Sequence, residues 1–375
     1  MKILLLTLIF VLSSCSYQEK EKNSYPIEKI FYSSKNIFGF ENIFGENLYT
    51  QDDVEIFGVL HFPENYDPSR KYPLVIASHG SYNWRSHHLK YLEQIRLADF
   101  IVFAMHPFDS RNVKSTVGNQ INVTSETVIY DMAMSLNLLW EDPRIDNSKI
   151  YAAGWSLGGT ATLFNAWLPL QDALNKPGAS FAGYLMWYPG CLALPDLDLW
   201  DKDLMQIYIG EEDNWTPPQP CKNLVSKINS EGGNAFIELY PNSFHSFDGP
   251  MPLRLIPDAY SWANCKLKLN AETKKVYDPN NKLLDFSDPK LRRQAYESCA
   301  TKGEVMAGAS PEYKNAIHYL VNRGLRKEDI LRHNIGYCEG GRYGGMIIIP
   351  SYDSNGNLNF FTGRSYYQDA KYSTS

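Results

Sequence analysis

The segment Gly154-Trp155-Ser156-Leu157-Gly158-Gly159 narrows what this chain can become more than any other. Residues 149–153 before it read as a strand, and residues 160–168 after it read as a helix. A serine on a tight strand-to-helix turn holds its hydroxyl away from its own backbone. The crowding of that turn falls on the residues two before and two after it, and Gly154 and Gly158 relieve the clash. Ser156 then stands at a helix N-terminus, where the Leu157 amide and the helix dipole favour a developing negative charge. The spacing alone is common by chance; the flanking strand and helix give it weight.

The surrounding chain alternates in the same way. Residues 54–62 read as an early antiparallel strand, and 73–78 and 100–105 are continuous apolar runs suited to strands buried on both faces. Residues 126–140 have helical spacing. Residues 181–188, 204–210 and 235–240 read as further strands, with a helix over 221–230 between the last two. This alternation predicts a mostly parallel sheet covered by helices. With 375 residues, 44% of them hydrophobic, the chain can bury such a core and still carry an appendage.

On that scaffold, an acid and then a histidine are expected after later strands. Glu211-Glu212-Asp213-Asn214-Trp215-Thr216-Pro217 follows the strand 204–210. Asp213 is the preferred carboxylate, because Gly210 lets the chain turn and the third loop residue reaches back; Glu212 is the reserve. Phe244-His245-Ser246-Phe247 follows the next strand, and His245 would take the Ser156 proton and return it to a leaving group. His79-Gly80-Ser81-Tyr82 follows the strand 73–78. The Ser81 amide is the expected second oxyanion donor beside Leu157, and His79 is read as a structural hydrogen bonder. His106, Asp109 and Arg111 lie at the same end of the sheet, with pocket and capping roles both open. Trp84, Trp155, Trp187 and Trp215 fall beside the site loops, as cleft walls or as core packing.

Together these residues resemble the dienelactone hydrolase family of the α/β-hydrolase superfamily. The likeness rests on His79-Gly80, Gly154 to Gly159, Asp213 to Pro217, Phe244 to Phe247 and Ser298-Cys299-Ala300-Thr301-Lys302-Gly303, and covers roughly residues 54–308. It implies an α/β-hydrolase fold with about eight strands, a cap-poor open site, no cofactor, and Ser156, Asp213 and His245 as triad. The reaction implied is cleavage of a carboxylic ester or lactone through an acyl-enzyme. The namesake enzymes use Cys where this chain has Ser156, so a broader ester hydrolase is expected rather than a lactone specialist.

The first residues read as an export leader. Lys2 precedes an apolar run over 3–12, too short to span a bilayer, and Leu12-Ser13-Ser14-Cys15 resembles the lipobox of bacterial lipoproteins. Cys15 would carry the lipid, residues 16–48 would be tether and lead-in, and the mature protein would be exported and held to a membrane. Export allows disulfides. Cys191, Cys221, Cys265 and Cys299 permit three pairings, of which sequence neighbourhood favours 191–221 and 265–299. No cysteine and histidine spacing suits zinc. The net charge of −6 argues against nucleic acid as the partner of the whole chain.

The helix–strand rhythm fades after about residue 264. Residues 266–290 read as a charged excursion, with a helix over 289–298. A different texture starts near Ser310: a helix over 312–323, then strands over 346–350 and 358–363 joined by Asp353-Ser354-Asn355-Gly356, a hairpin signal. The α/β-hydrolase domain is thus expected over 49–309 and a small α+β appendage over 310–375. Ala316 to Leu320, Ile335 to Cys338, Met346 to Pro350 and Phe360 to Arg364 resemble the start of the polymerase core of phage and bacterial-type DNA primases. The acidic metal-binding motifs and the zinc module on which that family depends are not in this segment. Three readings follow: an ester hydrolase acting on a small molecule, a phage replication protein judged from the tail, and a catalytically silent binding lipoprotein.

Overall fold

The computed structural model describes residues 26–196, 199–250, 253–285, 289–309, 311–326, 329–330, 333, 335–338, 341–343, 346–353 and 358–365. The leader, Cys15 and the Asn355-Gly356 turn lie outside these residues.

Eight strands make one sheet: β1 (Ile27–Lys35), β2 (Asp53–His61), β3 (Tyr72–Ser78), β4 (Ile101–Met105), β5 (Ile145–Trp155), β6 (Gly183–Trp187), β7 (Leu204–Gly210) and β8 (Asn234–Tyr240). Their order is β1-β2-β4-β3-β5-β6-β7-β8. The pairs from β4 through β3, β5, β6 and β7 to β8 are parallel, and β1 and β2 are antiparallel. Ile76, Phe103, Ala153 and Met186 of the central strands are fully buried, as the continuous apolar runs require. Helices α1 (Ser86–Leu97), α2 (Ser125–Leu139), α3 (Leu157–Phe164), α4 (Leu168–Leu174) and α5 (Pro218–Ser230) complete the expected α/β-hydrolase architecture.

Several boundaries differ from those read in sequence, for identifiable reasons. The helix expected over 160–168 starts at Leu157, directly after Ser156, and stops at Phe164. The glycines that look like helix breakers are needed for close packing. The Asn165 side chain donates to the Ala161 and Ile129 carbonyls at the helix end, and Pro169 opens α4. Part of the lead-in belongs to the domain: β1 lies within residues 16–48, and Ile37, Phe40 and Ile43 are buried in the main core. Helix α1 escaped the sequence reading because its buried positions include His88 and Arg96, which break the apolar spacing.

Beyond β8 the chain is less regular. β9 (Arg254–Ile256) pairs with β10 (Val305–Ala307), and Tyr260–Ser261 pairs with Thr301–Lys302. Between them, Lys268–Leu269, Val276–Tyr277 and Leu283–Leu284 form a small meander that adds to Leu194–Pro195. Helix α6 (Pro289–Glu297) follows, near its expected bounds. The tail holds α7 (Pro311–Asn322) and a separate antiparallel sheet of β11 (Gly336–Cys338), β12 (Met346–Tyr352) and β13 (Leu358–Ser365). Its apolar cluster of Ala316, Leu320, Ile330 and Ile347 is distinct from the main core.

Candidate active site

Ser156 follows β5 and caps α3 with φ 51° and ψ −112°, a backbone conformation that costs an L-residue on the order of 1–3 kcal/mol. The turn tolerates no side chain at its two key glycines. A Cβ on Gly154 would lie 2.1 Å from the Gly158 carbonyl oxygen, and one on Gly158 would lie 2.2 Å from the Ser78 carbonyl oxygen. The Ser156 amide donates to the Trp187 carbonyl at 2.9 Å, tying the turn to the neighbouring strand end.

The structure brings Ser156, His245 and Asp213 together from three strand ends. Ser156 Oγ is 2.8 Å from His245 Nε2, and His245 Nδ1 is 2.8 Å from Asp213 Oδ2. A carboxylate only accepts, so Nδ1 carries the proton and Nε2 offers its lone pair to the Ser156 hydroxyl. The Trp215 and Thr216 amides each donate to Asp213 Oδ1 at 2.9 Å, holding the carboxylate in place. The reserve acid Glu212 is exposed, whereas Asp213 is buried. Gly210 is required where the two loops cross, because a Cβ there would lie 2.0 Å from the Ser243 carbonyl oxygen. Such a chain of hydroxyl, imidazole and buried carboxylate can activate the hydroxyl and hold the resulting imidazolium.

The loop after β3 passes over the serine. Gly80 sits so close that a Cβ on it would be 3.1 Å from Ser156 Cβ, and Ser81 faces the same cavities as Ser156. Leu157, first in α3, has no acceptor within the helix for its amide. His79 is a turn-former: its Nδ1 donates to the Gly80 carbonyl at 2.9 Å, and burial lowers its pKa to about 4. His106 pairs with Asp109 at 2.8 Å, and Arg111 makes a two-pronged pair with buried Asp131 at 2.8 and 2.9 Å. These three hold the β4 end together and line neither cavity.

The tryptophans divide between the two roles left open. Trp155 stacks on Trp187 at 4.7 Å in the core while also bordering the cleft, Trp215 packs 4.7 Å from the His245 ring, and Trp84 and Trp215 line the cleft. Disulfides join Cys191 to Cys221 and Cys265 to Cys299, and Cys338 is free. Among the described residues no group of three or more His, Cys, Asp or Glu side chains is placed to hold a metal ion.

The post-sheet segment supports the site in a way the sequence did not disclose. Asn214 Nδ2 donates to the Glu304 carbonyl at 2.7 Å, and Met306 N donates to Asn214 Oδ1 at 3.0 Å. Two residues further along, Gly308 N donates to the His245 carbonyl at 2.7 Å, and Phe244 N to the Gly308 carbonyl at 2.8 Å. Residues 304–308 therefore clamp both the acid loop and the histidine loop. Only the amide-bearing Asn214 beside the acid hinted at this. The post-sheet segment also contributes Trp262, Leu267, Val276 and Arg292 to a cavity at Ser156, so this side of the site is bordered where the family resemblance implied little cap.

A mostly parallel eight-stranded sheet with this turn at the end of β5 defines an α/β-hydrolase. Residues 97–260 match the model of the dienelactone hydrolase family. No curated protein matches the chain. Among solved structures, native esterase 2 from the planctomycete Thermogutta terrifontis is 14% identical with TM-score 0.42, over 52% of this chain and 79% of the esterase. The same esterase phosphoramylated by tabun is 12% identical with TM-score 0.43, over 78% of this chain and 95% of that one. A candidate dienelactone hydrolase from Klebsiella pneumoniae subsp. pneumoniae is 13% identical with TM-score 0.41, over 59% and 88%.

Proposed function

We propose that this hydrolase cleaves a carboxylic ester of a small molecule through an acyl-enzyme on Ser156, with His245 as base and then acid, and Asp213 as its anchor. The observation that carries the reading is the pair of 2.8 Å contacts that run from the serine through the imidazole to the carboxylate. His245 takes the serine proton as Oγ attacks the carbonyl, and the Leu157 and Ser81 amides stabilise the oxyanion. The protonated imidazole then gives its proton to the leaving alcohol. Water repeats the cycle to free the acid. The two disulfides support export, in keeping with the leader and the lipid anchor expected at Cys15.

A fluorophosphonate probe should label Ser156 and leave Ser156→Ala unlabelled. His245→Ala should lower kcat by about four orders of magnitude with a small change in KM. Absence of labelling in the folded wild-type chain would sink the reading.

A further inference from the structure

Ser156 opens onto two cavities of different size, and the position of His245 tells which half of a substrate enters each. The larger, of about 420 Å³, is lined by His245 together with Arg85, His87 and Arg254. The smaller, of about 120 Å³, is lined by Leu157 and not by His245. In the reaction proposed above, the imidazolium must pass its proton to the leaving oxygen, so the leaving alcohol lies on the His245 side. The acyl substituent points the other way, into the small cavity behind Leu157.

From this we infer that the protein is selective for short acyl groups and permissive for the alcohol, an assignment that rests on the ester-hydrolase reading of the site. The small cavity holds on the order of four carbon-sized groups, at roughly 30 Å³ each. Its side walls include Phe164, Leu267 and Val276. The Arg292–Glu126 ion pair also lines it, with a contact of 2.7 Å and side chains 2% and 3% exposed. Arg292 further donates to the Phe38 carbonyl and to Ser125 Oγ, which anchors the guanidinium from more than one side. On the sides formed by Phe164, Val276 and Arg292, a longer alkyl chain could extend only by prising apart a buried ion pair or by displacing tightly held apolar walls. Neither rearrangement is cheap.

The test is a series of 4-nitrophenyl esters, from acetate through butyrate and hexanoate to octanoate, in which the leaving group is constant. kcat/KM should fall at least about tenfold between butyrate and octanoate. Across acetates of 4-nitrophenol, 4-methylumbelliferone and 1-naphthol the spread should be smaller than that fall. Leu267→Ala, or Val276→Ala if the first variant misfolds, should move the decline to longer acids. Octanoate turned over as well as butyrate by the wild-type protein would overturn the assignment while leaving the serine-hydrolase reading intact. Failure to turn over any of the esters would overturn both.

Discussion

Two segments follow the eight-stranded sheet, and they stand in opposite relation to the site. Residues 253–309 are short on regular structure, yet the Asn214 and Gly308 contacts bind them to the catalytic loops. Trp215, Ile256, Trp262 and Val305 share one buried cluster. The Cys265–Cys299 disulfide spans 34 residues of this segment, and such a crosslink stabilises by roughly 3–4 kcal/mol in the chain-entropy account. Residues 311–365 are the more regular of the two, with a twelve-residue helix and a three-stranded sheet, but their buried apolar residues form a cluster of their own. Regular structure is thus a poor guide to which segment belongs to the hydrolase. Contacts to the loops that carry Asp213 and His245 are the better one.

Shortening the chain separates the two segments most sharply. Ending it after Gly303 removes β10 and the partners of His245 and Asn214. Hydrolysis of 4-nitrophenyl acetate should then fall by three or more orders of magnitude. Retained activity would show that the clamp is dispensable.

Acid should distinguish the two regions next. His79 is buried neutral, with a pKa of about 4 against an ordinary 6.5. Protonation is therefore easier in the unfolded chain. The associated stability is complete above pH 6.5 and is lost as pH falls towards 4, on the order of 3 kcal/mol. All eight tryptophans lie between Trp84 and Trp262, so their fluorescence reports the hydrolase part alone. Urea midpoints followed in that way should drop between pH 7 and 4.5, and less steeply in His79→Asn. Equal pH dependence in the two proteins would assign the acid sensitivity elsewhere.

The smallest effect is expected from removing the tail. A chain ending at Ser310 keeps Gly308 and Ala309, and its kcat/KM should stay within about twofold of the full chain, since the triad's partners among the described residues all precede it. A larger loss would tie the tail to catalysis. The likeness of the tail to the primase core is a separate proposal. Salt-sensitive binding of single-stranded DNA by the full chain, absent from the shortened one, would support it.

The hydrolase site was legible in sequence to the extent that backbone crowding dictates residue type. Gly154, Gly158 and Gly210 each stand where a Cβ would strike a neighbouring carbonyl, and that local constraint marks the turn and the acid loop. The order serine, acid, histidine follows from strands that alternate with helices, which apolar runs reveal. Helix α1 and strand β1 were illegible because their burial is partial and mixed with charge.

The nucleophile turn, the sheet that presents it and the candidates for its partners were readable from residue order alone. These depend on contacts within a few residues or on simple periodicity. The choice of Asp213 over Glu212 as the paired acid, the clamp by residues 304–308 and the division of the site into a narrow and a wide cavity were decided only by the tertiary structure. Each depends on groups tens to more than a hundred residues apart, such as Arg292 against Glu126 or Met306 against Asn214. Their approach is set by how the whole chain packs, and no local pattern encodes it.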